Sequence, residues 1–275
     1  MTYREYPPGE AARDLVECFW TYSSSGESDL ERIAPDGRCE LVVHLGKPYS
    51  EASATRETVQ ARALFAGQLT RPLLLRGRGP TWSVAARFRP AAAGVFLHQP
   101  ASAATDRRVP LEAIDPDGAG PLHDHMHQAA SDVVRLEILA NYVADRGKRA
   151  PFRPVPSVAA AAEALEATDM PSIAAVASAT GLSLRSLQRL FKAHVGVPPQ
   201  EYASIIRFRR IFDELASAPL TLSQAAQAAG YCDHPQMARD FQRFVGCSAS
   251  QFMKERDQLS AALTRGRNSK SSPSR

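Results

Sequence analysis

Two stretches in the C-terminal half of the chain repeat one another, and this duplication restricts the fold more than any other feature. Residues from Ser172 onward (SIAAVASATGLSLRSLQRLFKAHVGVPPQEY) align with residues from Thr221 onward (TLSQAAQAAGYCDHPQMARDFQRFVGCSASQF). Ala177 falls on Ala226, Gly181 on Gly230 and Leu182 on Tyr231. One inserted residue near Asp233 then brings Leu187 onto Met237, Arg189 onto Arg239, Phe191 onto Phe241, Val195-Gly196 onto Val245-Gly246 and Tyr202 onto Phe252. A repeated pattern of this length means a repeated structural unit.

Each copy carries the logic of a helix-turn-helix. A small residue (Ala177, Ala226) lets a second helix approach the first closely, and a glycine four positions on (Gly181, Gly230) permits a sharp turn through positive φ. The apolar residue that follows, Leu182 or Tyr231, plugs the corner. Ser183 and Asp233 stand where an N-cap of the second helix is needed. That helix buries Leu187, Leu190 and Phe191 in the first copy and Met237 and Phe241 in the second. Its polar face holds Arg185, Gln188, Arg189 and Lys192 in the first copy, and His234, Gln236, Arg239 and Arg243 in the second. Arg and Gln on one face of a short helix suit the major groove: Arg pairs bidentately with guanine and Gln with adenine, while other basic residues bind phosphate and fix register. Between the copies, Glu201 to Leu215 (EYASIIRFRRIFDEL) is amphipathic, with Tyr202, Ile205, Ile206, Phe208, Phe212 and Leu215 facing inward and Arg207, Arg209 and Arg210 outward.

On these residues, positions 157–256 resemble the AraC/XylS family of bacterial transcription regulators, whose second copy ends in a pattern like GYCDHPQMARDFQRFVGCSASQF, here Gly230 to Phe252. The resemblance implies a seven-helix, two-subdomain fold with recognition helices beginning near Ser183 and Asp233. It implies that Arg185, Gln188 and Arg189, and in the second helix His234, Gln236 and Arg239, contact DNA. The chain departs from the family in reading CSAS after Gly246, where a proline is common; Pro198-Pro199 of the first copy is kept. Segments at Pro35–Tyr49, Ala66–Leu73 and Ala86–Leu97 resemble the N-terminal domain of one uncharacterised branch of AraC-type regulators. The resemblance implies double-stranded DNA as partner, with RNA polymerase, a small-molecule effector and a second copy of the chain as further candidates.

The remaining 150 residues read differently. Leu15 to Tyr22 and Cys39 to Leu45 are short runs rich in Val and aromatics, separated by turn-forming SSSGESD and APDG, and further strands are expected at Leu73–Arg76 and Trp82–Phe88. Helical sequence begins near Ala91, and a pattern from Leu122 to Asp145 places Val133, Val134, Leu136, Ile138, Leu139 and Val143 on one buried face. The expectation is an α+β two-domain protein: an N-terminal part mainly β (a cupin-like barrel or sandwich) plus helices, and an all-α double helix-turn-helix. The boundaries are a sensory or dimerisation domain at 1–146, a proline-rich linker at 147–156, the DNA-binding domain at 157–260 and a disordered basic tail at 261–275.

Charge supports the division. Residues 1–150 hold 18 Lys/Arg against 19 Asp/Glu, and residues 151–275 hold 15 against 10. The basic half fits a polyanion partner. No apolar run reaches the ~20 residues of a membrane span, no targeting segment is evident, and a cytoplasmic location is expected. Four scattered cysteines (Cys18, Cys39, Cys232, Cys247) are expected to be reduced. The alternative function is a DNA-linked repair or alkylation-response enzyme, which needs an activated cysteine; a helical protein-interaction module is a third reading. His123 and His127, at i and i+4, are the one candidate metal pair, set against a simple polar helix start, and no cofactor is expected. Phe19, Trp20, Tyr22, Arg87 and Phe88 are candidate pocket residues, set against a simple core role.

Overall fold

The computed structural model describes residues 2–254 except Ala54 and Phe152; the expected tail at 261–275 lies outside the described residues. The Val- and aromatic-rich runs become strands, as their β-branched and ring side chains favour. Strands β1 (Thr2–Tyr6), β2 (Val16–Ser24), β4 (Glu40–His44), β7 (Ala63–Ala66), β9 (Thr81–Phe88) and β10 (Arg108–Pro110) form an antiparallel sheet in the order β1-β2-β9-β4-β7-β10. Strands β3 (Glu27–Ile33), β5 (Ser50–Ala52), β6 (Glu57–Val59) and β8 (Leu73–Arg78) form a second sheet in the order β3-β8-β5-β6. Neither sheet closes, so the N-terminal part is a pair of open sheets.

Period-two alternation sorts the larger sheet into two faces. Phe19, Leu41, Val43, Phe65, Val84 and Phe88 pack against α1 (Ala93–Leu97), α2 (Leu111–Ile114), α3 (Ala119–Gln128) and α4 (Asp132–Lys148) through Phe96, Leu111, Leu122, Met126, Leu139 and Val143. The intervening residues Trp20, Tyr22, Val42, Leu64 and Ala85 meet Tyr49 and Leu75. Arg87 is 1% exposed and is held by Glu40 at 2.9 Å and Glu5 at 3.0 Å, with Trp20 donating to the same Glu40 oxygen. The candidate pocket residues therefore fall on opposite faces: Phe19 and Phe88 belong to the helix side, Trp20 and Tyr22 to the other.

The single helix expected over 122–145 is two, α3 and α4, because Ser131 caps a new helix by accepting from the Val134 amide. The break resets the phase of the buried stripe. Leu139 and Val143 stay buried while Val133 and Val134, in the new first turn, are exposed. Helix α4 runs on to Lys148, and Arg146 is buried within it, donating to the carbonyls of Phe96 and Ile114. The next helix starts at Pro156, where a proline suits the first turn.

Seven helices follow among the described residues: α5 (Pro156–Glu166), α6 (Ile173–Ala179), α7 (Leu184–Val195), α8 (Pro199–Ser217), α9 (Leu222–Ala228), α10 (His234–Val245) and α11 (Ala249–Lys254). They build two cores. The first holds Val158, Leu165, Val176, Leu187, Phe191, Tyr202 and Ile206. The second holds Ile205, Phe208, Ile211, Ala225, Met237, Phe241 and Phe244. Helix α8 serves both, giving Ile206 to one and Ile205 to the other. Among the described residues no helix is long and apolar enough to cross a membrane.

The two halves meet at the β3–β4 loop. Arg38, buried at its end, pairs with Glu17 of β2, donates 2.9 Å bonds to Glu166 of α5 and to the Tyr202 hydroxyl of α8, and so ties three elements together. Gly37 makes this possible with φ +82°, because a Cβ there would lie 2.8 Å from Ile206 Cδ1 and 3.1 Å from Tyr202 Cε2. Removing one partner of such a buried cluster leaves the others uncompensated. Arg38→Met is expected to lower the unfolding free energy by about 3–5 kcal/mol in urea titrations.

Burial pushes the Glu166 carboxyl up, but the Arg38 guanidinium, with Arg209 and the Tyr202 hydroxyl, outweighs burial and brings it from 4.5 down to about 2. A carboxyl depressed in the folded chain adds stability that is fully present above pH ~4.5 and is lost as pH falls toward ~2. The loss amounts to roughly 3 kcal/mol. Glu166→Gln is expected to flatten that part of the acid-stability profile measured by thermal unfolding.

Candidate nucleic-acid interface

The two helix pairs α6–α7 and α9–α10 repeat in backbone detail. Gly181 and Gly230 turn with φ +69° and +90°. The next amide, of Leu182 or Tyr231, donates to Ala177 or Ala226 at 2.9 and 3.0 Å. Those two alanines are buried, so the second helix approaches the first where the small residues stand. Ser183 caps α7 by accepting from the Ser186 amide at 3.2 Å, and Asp233 caps α10 by accepting from Gln236 at 2.6 Å. Thr221 and Gln224 close a capping box on α9. Both recognition helices end on a left-handed glycine, Gly196 and Gly246, the usual way to stop a helix without a Cβ penalty.

The expected reading faces lie outward. Arg185, Gln188, Arg189 and Lys192 on α7 are exposed, as are His234, Arg239 and Arg243 on α10; Gln236 is half-buried. Ser183 and Asp233 are exposed but have their side chains engaged in capping. Arg243 donates from one guanidinium nitrogen, Nη2, to both carboxylate oxygens of Glu201 of α8. Leu184, in the first turn of α7 beside Arg185, is 49% exposed. It did not stand out in the sequence, because its i, i+3, i+7 spacing with Leu187 and Phe191 puts it in line with the buried stripe, and only its place in the first turn leaves it exposed.

The basic face expected on α8 is largely occupied. Arg209 turns inward, donating to the Asp36 carbonyl at 3.1 Å and pairing with Asp213 at 3.5 Å. Arg210 binds the carbonyls of Ala167 and Thr168, and Arg207 lies 5.3 Å over the Tyr231 ring. These arginines brace the helix against its neighbours.

The candidate nucleophiles sit elsewhere and are blunted. Burial pushes the Cys18 thiol up to about 12 and raises Cys39 as well, the reverse of what an activated thiolate needs. His123 and His127 stack with ring centroids 6.1 Å apart, but His123 Nε2 is already engaged with the His44 carbonyl at 3.1 Å. Among the described residues no group of three metal-ligating side chains forms.

A helix-turn-helix domain family matches residues 176–255, covering both turns and both recognition helices, and it is of the AraC type. Residues 4–110 match DUF6597, a domain family of unknown function. No curated protein matches the chain. Among experimental structures, ToxT from Vibrio cholerae is similar with a TM-score of 0.50 at 9% identity, over 85% of this chain and 98% of that one. ToxT bound to (E)-4-(8-methylnaphthalen-1-yl)but-3-enoic acid gives 0.49 at 10% identity, over 85% and 97%. The AraC-like transcriptional activator CuxR gives 0.24 at 15%, over 80% and 83%. At such identities the ToxT likeness shows a shared two-part fold. The helix-turn-helix module at 176–255 supports a DNA-binding transcription regulator.

A Cβ built at Gly181 or Gly230 meets no atom within 4 Å, so an alanine there is opposed by backbone conformation alone. Gly181→Ala and Gly230→Ala are each expected to cost about 1–2 kcal/mol, lowering the urea midpoint without changing the slope. Asparagine, which tolerates left-handed backbone, is expected to cost less at either position.

Proposed function

We propose that the chain reads two adjacent major-groove segments of double-stranded DNA, one with each recognition helix. The domains of this reading are a signal-receiving part at 1–146, a linker at 147–156 and a DNA-binding part at 157–260. The observation that carries it is the pair of outward faces, Arg185–Gln188–Arg189 on α7 and His234–Gln236–Arg239 on α10, mounted on turns of the same geometry. Helix α8, of 19 residues, is about 28 Å long, which suits heads that engage sites near one DNA turn apart, roughly 34 Å.

Within each head, Arg185, Arg189 and Arg239 are the guanine or phosphate contacts and Gln188 the adenine contact. Leu184 suits the methyl group of thymine, the apolar feature of the groove. Ser183 and Asp233 act through the backbone as caps. Arg243, neutralised by Glu201, contributes by fixing α10 on α8. An effector acts on the N-terminal part and changes how that part holds the two heads.

The test is a band shift across a salt series, with duplex DNA enriched by the full chain from a random library. A steep fall of affinity with salt is expected, since each neutralised phosphate adds about 0.9 to the slope. Arg189→Ala and Arg239→Ala are expected to cost roughly 1–3 kcal/mol of binding each. Arg243→Ala is expected to leave the salt slope close to wild type. Unchanged binding in both Arg189→Ala and Arg239→Ala would show that these are not the reading helices.

A further inference from the structure

The C-terminal ends of both recognition helices rest on the same short loop of the N-terminal half. This is the β7–β8 loop, residues 67–72. At one end of it, a Cβ placed on Gly196, the C-cap of α7, would lie 3.2 Å from Gln68 Cγ and 3.3 Å from Thr105 Oγ1. Thr105 also donates to the Gly196 carbonyl at 2.7 Å. At the other end, a Cβ on Gly246, the C-cap of α10, would lie 3.5 Å from Pro72 Cγ and 3.8 Å from Arg32 Nη1. Arg32 donates to the neighbouring Val245 carbonyl at 3.2 Å. Gly196 and Gly246 are equivalent positions of the duplication, so the loop touches both copies at the same place. Gln68 and Pro72 are four steps apart along the chain, a reach of at most about 14 Å.

One side chain holds this loop in shape. Asp106 accepts from the Thr70 amide at 2.8 Å and from the Thr70 hydroxyl at 2.7 Å, and lies 3.8 Å from Arg71. Its own amide donates to the Gln68 carbonyl at 2.8 Å. It does so from a left-handed conformation, φ +56°, which a short polar residue such as Asp tolerates better than most. Gly67 sits so close beneath that a Cβ there would lie 1.8 Å from the Ala104 carbonyl oxygen. The loop is thus clasped from 104–107 on one side and loaded by both recognition helices on the other.

We infer that Asp106 is a positioning residue for DNA reading: by holding residues 68–71 it fixes the separation of α7 and α10, and so the spacing between the two DNA segments the chain accepts. An N-terminal half that merely occupied space would have no reason to meet both helices at equivalent C-caps through one clasped loop. The inference rests on the two-segment reading above, but its first test needs no DNA.

Spin labels on the equivalent positions Lys192→Cys and Gln242→Cys, with Cys18 and Cys232 replaced by serine, report the helix separation by pulsed electron resonance. The parent chain is expected to give one narrow distance. Asp106→Gly, which keeps the left-handed backbone accessible and deletes the carboxylate, is expected to broaden it and extend it to longer distances. Asp106→Asn, which retains an acceptor for Thr70, restores the narrow distance, and Thr70→Val broadens it partially. A parent distance that is already broad, or an Asp106→Gly distance as narrow as the parent's, overturns the inference whatever becomes of the DNA reading. In the second arm, enriched duplexes carry one or two base pairs inserted between the two contacted segments. The parent is expected to lose affinity on insertion, and Asp106→Gly to bind the original and lengthened duplexes alike. A uniform loss for Asp106→Gly across all spacings, with the parent's preference retained, overturns it too.

Discussion

A buried guanidinium stands at the join between the two halves of this chain. Arg38 draws Glu17 of the larger sheet, Glu166 of α5 and the hydroxyl of Tyr202 on α8 to one point. A buried charge is costly unless each of its donors finds a partner. The cluster therefore holds only when the sheet, α5 and α8 are all correctly placed. Around it the β3–β4 loop reaches into both helical cores: Gly37 lies against Ile206 and Tyr202 of the first, and Ala34 packs with the second. Any displacement of the strands at either end of that loop is felt by α8, which both cores share.

What was legible in the sequence was what depends on near neighbours along the chain. The duplication, the two turns, the N-caps Ser183 and Asp233, and the buried stripe Leu187–Phe191 are set by spacings of three to four residues, and the structure carries all of them. The exposure of Arg185, Gln188, Arg189 and Arg239 follows from the same phase. What was not legible depends on distant partners. Arg38 and Glu166 are 128 positions apart, and neither stands out from other surface-type charges. Arg209, apparently on the outer face of α8, is turned inward by Asp36, a loop residue 173 positions away. The same limit applies to faces of the larger sheet. Alternation within β2 separates Phe19 from Trp20, but which face receives helices and which receives a second sheet is decided by the connections. Ser131 is an intermediate case, since a serine before an acidic residue is a local start signal, yet the apolar residues on either side keep a helical period that masks it.

The two copies are alike in local chemistry and unlike in how they are held. The first is fastened from the N-terminal half: Ala91 belongs to its core and Thr105 binds the end of α7. The second has Arg32 at the end of α10, and in addition the Arg243–Glu201 pair, which fastens α10 to the start of α8. The first copy has Ala193 at the position equivalent to Arg243 and so lacks that internal brace. α7 therefore depends more on the N-terminal half for its orientation than α10 does.

The N-caps differ to the same effect. Asp233 places a negative charge at the positive end of α10, which stabilises the helix by a few tenths to about 1 kcal/mol, but it also sets that charge where a phosphate would otherwise be drawn. Ser183 caps α7 without charge and leaves its amide end open to an anion. In the two-segment reading the heads are thus not interchangeable: α7 offers the more favourable phosphate approach on the less independently braced helix, and α10 the reverse. In that reading a chain with two such heads suits an asymmetric site, and α7, which lacks the Arg243–Glu201 brace, is the helix held more by the N-terminal half.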